Sequence, residues 1–381
     1  CFGFEFDPAL VGEVVGLGRI PTLKRFGQIE RLHRLVRASG RMMVFDHQQV
    51  REVLYDGMSE VLREEYHAAL AGALEAREDA AGKDPADLDG AHCVQLCGQL
   101  FDAGLPERAR RYLQAATQHL ASGYLHGAAV DLADRALEVP GLIDGVPRAR
   151  LLRSKASWLS RYGRADDQRA ALDEALALAE DSGDLDERIA SHKDLGEHLA
   201  HVAQGTGALE HLRTALDLAR ATDDRTREGV VTNALATTLY FDSSFDEARE
   251  LFHRHLGIAE ETQDLRQQAR AKSNLGLVYL AESRYDEAAE LFETTLEIAT
   301  KLGDRHGQAV AISNLGGIAY NRGRWSDARV AFERDMQMSG ELGDRRAEVV
   351  VTGNLGIVVR AEGYLADALR YHERYLELAE E

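Results

Sequence analysis

Apolar and small residues return along this chain with a step of 40. Leu195, Leu235, Leu275, Leu315 and Leu355 keep that step, each followed by Gly196, Ala236, Gly276, Gly316 or Gly356. Thirteen residues past each Leu stands Ala208, Ala248, Ala288, Ala328 or Ala368. Asp184, Asp224, Asp264, Asp304 and Asp344 share the period. Lys155 and Gln168 continue the register backward with poorer chemistry, so six units fit residues 144–381 without an insertion.

Each unit predicts two helices. In residues 264–303, Asp264 is placed to cap a first helix carrying Ala269, Lys272, Leu275, Gly276 and Tyr279 at helical spacing. Ser283-Arg284 marks a turn. Tyr285, Ala288, Ala289, Phe292, Leu296 and Ala299 form a second apolar stripe. Gly303 is suited to a left-handed helix end, and Asp304 to capping the next helix. A glycine inside a helix costs about 1 kcal/mol against alanine. Its return at Gly276, Gly316 and Gly356 therefore predicts close approach of the paired helix, with an Ala288-type face against the bare backbone.

The run Asn274-Leu275-Gly276-Leu277-Val278-Tyr279 with Ala288 and Phe292 resembles the tetratricopeptide (TPR) signature, and Asn314-Leu315-Gly316 with Ala328 and Phe332 repeats it. The usual TPR unit has roughly 34 residues. The longer step resembles the variants of kinesin light chains and cell-polarity adaptors, with Gly-Asp in place of the closing proline. HEAT repeats approach this period but lack the Leu-Gly…Ala pattern. The resemblance implies a right-handed α-solenoid with first helices lining a concave groove. Asn274, Asn314 and Asn354 would form a ladder there. In the similar adaptors the equivalent Asn holds an extended peptide backbone, since its side chain both donates and accepts. Arg270, Asn321 and Arg360 would share the groove. The alternative is that the Asn side chains only bond neighbouring helices.

Upstream, residues 83–143 read as irregular helical hairpins: Ala91–Ala103, then Glu107–Leu120 after Gly104 and Pro106, then Leu125–Leu137. Pro140, Gly141, Gly145 and Pro147 mark a joint before the array. The array ends at Glu381 on a second helix without a polar cap, an end expected to meet a partner or further sequence.

Residues 1–82 do not follow the period. Asp7-Pro8 opens a helix, and Pro21 begins a region with Leu23, Phe26, Ile29, Leu32 and Leu35 as its stripe. Leu35 to Phe45, turning at Ser39-Gly40, predicts a hairpin. Helices follow from His47 (Val50, Leu54, Tyr55) and from Ser59 (Tyr66, His67, Leu70, Leu74). Helices followed by a wing-like hairpin predict a winged-helix-like module, making the chain mostly all-α. The run Phe45-Asp46-His47-Gln48-Gln49-Val50-Arg51-Glu52-Val53-Leu54-Tyr55, with Arg63, His67, Ala71 and Leu74-Glu75, resembles the winged helix that follows the ATPase core of STAND-type signalling NTPases. In actinobacterial LuxR-type and antibiotic-regulator proteins of that kind, TPR helices come next. The resemblance implies an ADP-phosphate contact by the His of a Met-His-Asp motif, here His47. The match is partial: Asp46 precedes His47 and Gln48 replaces the Asp. No Gly-x-x-x-x-Gly-Lys-Ser/Thr loop is present, and Gly82-Lys83 lacks its upstream glycine. His47 would complete a nucleotide site built by sequence outside this chain, or simply cap its helix.

Composition narrows the partners. The 381 residues are 45% hydrophobic and 29% charged, with 7% aromatics, which favours helices over a β-sandwich. No apolar run is long enough to cross a membrane, and no charged-then-apolar leader opens the chain. The net charge of −19 disfavours nucleic acid and anionic membrane as partners of the whole chain. Between Arg19 and Arg51, however, eight basic residues face two acidic ones. Lys24, Arg25, Arg31, Arg34 and Arg37 there are suitable phosphate partners if the head binds DNA. Three cysteines point to a reducing, cytoplasmic setting. Cys1 in place of Met suggests a piece of a longer protein. His92, Cys93 and Cys97 share a helix but supply too few ligands for zinc, and His192, His198 and His201 complete no metal motif. No nucleophile elbow or phosphate loop is found, so neither catalysis nor a resident cofactor is expected, and ATP or ADP would belong to a full-length protein. The expected function is a non-catalytic sensor region of a STAND-type regulator. It would bind a protein, peptide or small effector in the groove and relay that state to an NTPase domain of the same polypeptide. A plain TPR scaffold and a DNA-binding transcription regulator are the alternatives.

Overall fold

The structure, a computed structural model, describes residues 3–202 and 205–380. It divides into two units, Cys1–Glu187 and Arg188–Glu381.

The first unit opens with β1 (Glu5–Phe6), α1 (Pro8–Val14), α2 (Arg19–His33), β2 (Val36–Ser39) and β3 (Met42–Phe45). Asp7 caps α1 by accepting from the Ala9 amide at 2.8 Å, and Pro8 occupies its first position, where no amide bond is lost. The strands form one antiparallel sheet in the order β1-β3-β2, with Phe6 opposite Met43 and Arg37 opposite Val44. Phe6, Val36 and Met43 make a small core with Phe26 and Ile29 of α2. The predicted stripe on α2 is therefore only half right. Its inward face runs Thr22, Phe26, Ile29, while Leu23 and Leu32 point to solvent. One-residue offsets rotate a side chain by about 100° around a helix, enough to take it off the sheet.

Next come α3 (Gln48–Asp56) and α4 (Glu60–Glu78), the latter capped by Ser59. Arg77 on α4 binds Glu13 through two nitrogens, at 2.9 and 3.1 Å, and Asp7 at 2.8 Å, tying α4 back to α1. Then follow α5 (Gly90–Asp102), α6 (Pro106–Ala109), α7 (Leu113–Ser122), α8 (His126–Leu137), α9 (Gly145–Leu159) and α10 (Ala165–Ser182). The helix expected over Glu107–Leu120 is broken between α6 and α7. Ala109 and Tyr112 are buried at the break, the Tyr112 hydroxyl donates to Glu75 at 3.0 Å, and Arg110 donates to the Leu142 carbonyl at 3.2 Å. These three anchors reach different neighbours, which a continuous helix would not serve together.

Helix α11 (Leu185–His201) leads into the second unit, which holds α12 (Gly205–Arg220), α13 (Arg225–Phe241), α14 (Phe245–Glu261), α15 (Leu265–Ala281), α16 (Tyr285–Leu302), α17 (Arg305–Asn321), α18 (Trp325–Leu342), α19 (Arg345–Ala361) and α20 (Leu365–Glu380). The 40-residue pattern thus produces paired helices. Asp224, Asp264, Asp304 and Asp344 each accept from a first-turn amide of their helix, as at 2.9 Å from Gly307 to Asp304. Gly303 and Gly343 end their helices in the left-handed region, where a side chain would be strained.

The in-helix glycines face aromatic rings. A Cβ on Gly276 would lie 2.8 Å from the Phe292 ring, and one on Gly356 would lie 2.7 Å from that of His372. The group pressed on the bare backbone is therefore the residue 16 positions on, not the Ala288 face that the spacing suggested. Alanine at 288 is buried as well, but the three atoms nearest a Cβ on Gly276 all belong to the Phe292 ring. Between pairs, each second helix packs on the following first helix, as Leu296 of α16 does on Ala309 and Ile312 of α17. In this unit the core is hence a series of clusters between successive helices, such as Ala288–Phe292–Ile318 and Ala309–Ile312–Met338, rather than a single centre.

Candidate functional site: the inner face of the helical array

First helices also pack on the next first helix, α13 on α15 and α15 on α17. That close spacing puts them on the inner side of the array's curve. Three of the predicted residues, Asn274, Asn314 and Asn354, occupy one register on this side and are half-buried. Asn274 Nδ2 donates to Asn233 Oδ1 at 2.9 Å, bridging α15 to α13. Asn314 and Asn354 make no side-chain hydrogen bond among the described residues. The two alternatives for the ladder are therefore divided along it: one Asn is spent on a helix–helix bond, and two keep donor and acceptor unused.

Asn233 is the residue that sequence reasoning missed. It stands one position ahead of the register kept by Asn274, and only the packing of α13 on α15 brings the two amides together. Arg270, Asn321 and Arg360 are exposed on the same helices, and neither arginine has a carboxylate in ion-pairing reach among the described residues. Elsewhere in this unit arginines are commonly paired, as Arg225 is with Glu261 at 2.7 Å. Val310 and Val350 stand exposed at the register of Arg270. From Val230 to Ala361 the inner face thus offers amides, valines and two unpaired guanidiniums.

Behind this face sit polar groups that are buried. His255, 1% exposed, has Nε2 at 3.2 Å from Gln267 Oε1, while its Nδ1 has no partner. Burial holds its pKa below the usual 6.5, with Arg270 adding to the fall while Gln267 and Asp264 oppose it. Asp335 is also buried, and desolvation raises its carboxyl above 3.8 despite hydrogen bonds from Ser313 and Ser339.

In the first unit, His47 occupies the N-cap position of α3 but makes no capping bond. Its ring is exposed, with Nε2 at 3.9 Å from Asp46. One turn on, Arg51 carries a buried Nε with no partner. Cys93 and Cys97 lie fully buried on α5, and desolvation pushes the Cys97 thiol up to about 12. Thiols held in that state are neither nucleophiles nor ready metal ligands. His192 meets His211 of α12, Nδ1 to Nδ1 at 2.9 Å, so one ring donates to the other. His198 is buried and His201 is exposed. No described helix is long and apolar enough to cross a membrane.

The tetratricopeptide repeat family profile matches residues 267–339. The array carries TPR repeats. No curated protein sequence matches the chain. Among solved structures, aspartyl phosphate phosphatase F from Bacillus subtilis is similar over 100% of this chain and 96% of its own, with 12% identity and a TM-score of 0.59. The signal transduction ATPase with numerous domains (STAND) protein with a TPR sensor from Pyrococcus horikoshii is similar over 99% of this chain, with 11% identity and a TM-score of 0.56. This chain spans 62% of that one's length. A Rap protein complexed with competence and sporulation factor is similar over 84% of this chain and 98% of its own, with 14% identity and a TM-score of 0.50. At these identities the likeness is one of fold.

Proposed function

We propose that this chain is a non-catalytic sensor and interaction region of a STAND-type regulator, and that its inner face binds a protein, peptide or small effector. The observation that carries the reading is the amide ladder, in which Asn314 and Asn354 keep both hydrogen-bonding functions unused beside exposed valines. An extended backbone needs that pairing of donor and acceptor, and valines reward its apolar side chains. The Rap structure that holds competence and sporulation factor has a similar helical array, which supports the reading. So does the STAND protein with a TPR sensor, similar across the head and the array alike.

In this reading the head is a winged-helix-like module, its hairpin β2–β3 serving as the wing, and it relays the groove's state to an NTPase domain beyond residues 1–381. His47, exposed beside Asp46, and Arg51, whose buried Nε has no partner, stand one turn apart at the start of α3 and fit a phosphate. They would hold phosphate oxygens of ADP there, with the rest of the site supplied by other sequence. The groove reading is tested by selecting random peptides on the purified chain, then repeating the titration with Asn314→Ala/Asn354→Ala. Selected peptides that lose affinity for a variant melting like the parent support it. Peptides that bind both forms equally would move the site elsewhere.

A further inference from the structure

The head carries a second surface that the groove reading leaves unused. On α2, Ile20, Leu23, Lys24, Gly27 and Arg31 line one shallow, open depression. Their spacing of three, four, seven and eleven residues from Ile20 puts them on one helical face. Ile20 is 68% exposed and Leu23 45%. The inward face of the same helix is already committed to Phe6 and the sheet through Phe26 and Ile29. The outward apolar residues are thus additional to what the module's own core requires.

The charge around them is also uncompensated. Lys24, Arg25 and Arg31 have no carboxylate in ion-pairing reach among the described residues. Glu30, the one acid at the depression, accepts from the Ala38 amide at 2.9 Å and so is engaged in holding the hairpin. Asp7 and Glu13 are taken by Arg77.

We infer that the Ile20–Leu23–Lys24–Arg31 face of α2 docks a protein surface bearing an apolar patch rimmed by Asp and Glu. Charge complementarity selects the acidic rim. The two branched side chains at the N-terminal end of this face select protein over nucleic acid, because a phosphate backbone offers Ile20 and Leu23 nothing to bury against. Two exposed apolar residues are too few for a membrane-seated helix, and a chain with net charge −19 is repelled by anionic lipid. The inference stands apart from the groove and survives its failure.

Three probes are titrated against the whole chain: a synthetic amphipathic helix with leucines on one face flanked by glutamates, a blunt DNA duplex, and phosphatidylserine vesicles. The peptide should bind saturably and more weakly as salt rises. Leu23→Asp and Lys24→Glu/Arg31→Glu should each weaken it by on the order of tenfold, with unchanged helicity and melting. Ile20→Gln, at the most exposed position of the face, serves as a second apolar variant with little reason to unfold. No peptide binding, or loss on the charge variant but not on the apolar ones, would overturn the assignment. Tighter binding of duplex or vesicles would do the same.

Discussion

Asn274 donates a hydrogen bond from its side-chain Nδ2 to the Oδ1 of Asn233, 2.9 Å away on the preceding first helix. The bond spans 41 residues of sequence and divides one row of asparagines into a structural member and two free ones. Asn274→Ala strands Asn233 half-buried and should cost about 1 kcal/mol. Asn314→Ala and Asn354→Ala break no bond and should each stay within about 0.5 kcal/mol of the parent. Urea unfolding of the three variants checks this; equal losses would mean the whole row is structural.

Two adjacent glycines on α17 should respond in opposite directions to alanine. A Cβ on Gly316 would meet Phe332 at 3.0 Å and Ala331 at 3.1 Å, whereas one on Gly317 meets nothing within 4 Å. Gly317→Ala should therefore stabilise by about 0.5–1 kcal/mol through helix propensity. Gly316→Ala should destabilise by roughly 1–3 kcal/mol through overpacking, and Phe332→Leu alongside it should recover part of the loss. Thermal melts of the two single variants and the double decide it.

The turns between first and second helices hold left-handed residues at a common register: Ser243 and Ser283 with φ near 60°, Gly323 at 71° and Gly363 at 97°. A serine there carries strain that glycine does not. Ser283→Gly should raise stability by about 0.5–1 kcal/mol, net of the glycine's greater freedom when unfolded. A lowered melting temperature would show that the Ser283 side chain has a role the turn geometry does not reveal.

Acid should act on two buried groups with opposite sign. His255 binds its proton less readily folded than unfolded, so its neutral form supports the fold above pH 6.5 and that support is lost as pH falls below it. Asp335 holds its proton more readily when folded, so between its raised pKa and 3.8 its contribution grows as pH falls. Asp335→Asn should accordingly raise stability at pH values above the carboxyl's raised pKa, where the buried group is charged, and have little effect once the pH is below 3.8. His255→Gln should flatten the loss of stability just below pH 6.5. Denaturation midpoints between pH 3.5 and 8 measure both, and parallel curves for parent and variants would refute the assignment.

The helical pairs were legible in the chain because each rests on local chemistry. An Asp beside the first turn, a glycine at a helix end and an apolar residue every third or fourth position act within one or two turns of helix. The same holds for the hairpin at Ser39-Gly40. What misled the reading of α2 was likewise local: a stripe admits several rotations, and only the sheet opposite decides that Phe26 and Ile29 go in while Leu23 and Leu32 stay out. Cys93 and Cys97 showed their helical spacing in sequence, but the burial that makes them inert came from the neighbouring helices.

The 40-residue period alone determined that this protein is an array of paired helices, since a repeated unit with one apolar face must stack on its neighbour to bury it. The tertiary structure decided what the period leaves open. It chose Phe292 rather than Ala288 to press on Gly276, Asn233 to engage Asn274, and Ile20 and Leu23 to remain in water. Each of those choices depends on the angle and separation between helices distant in sequence, quantities that side-chain packing sets and periodicity does not encode.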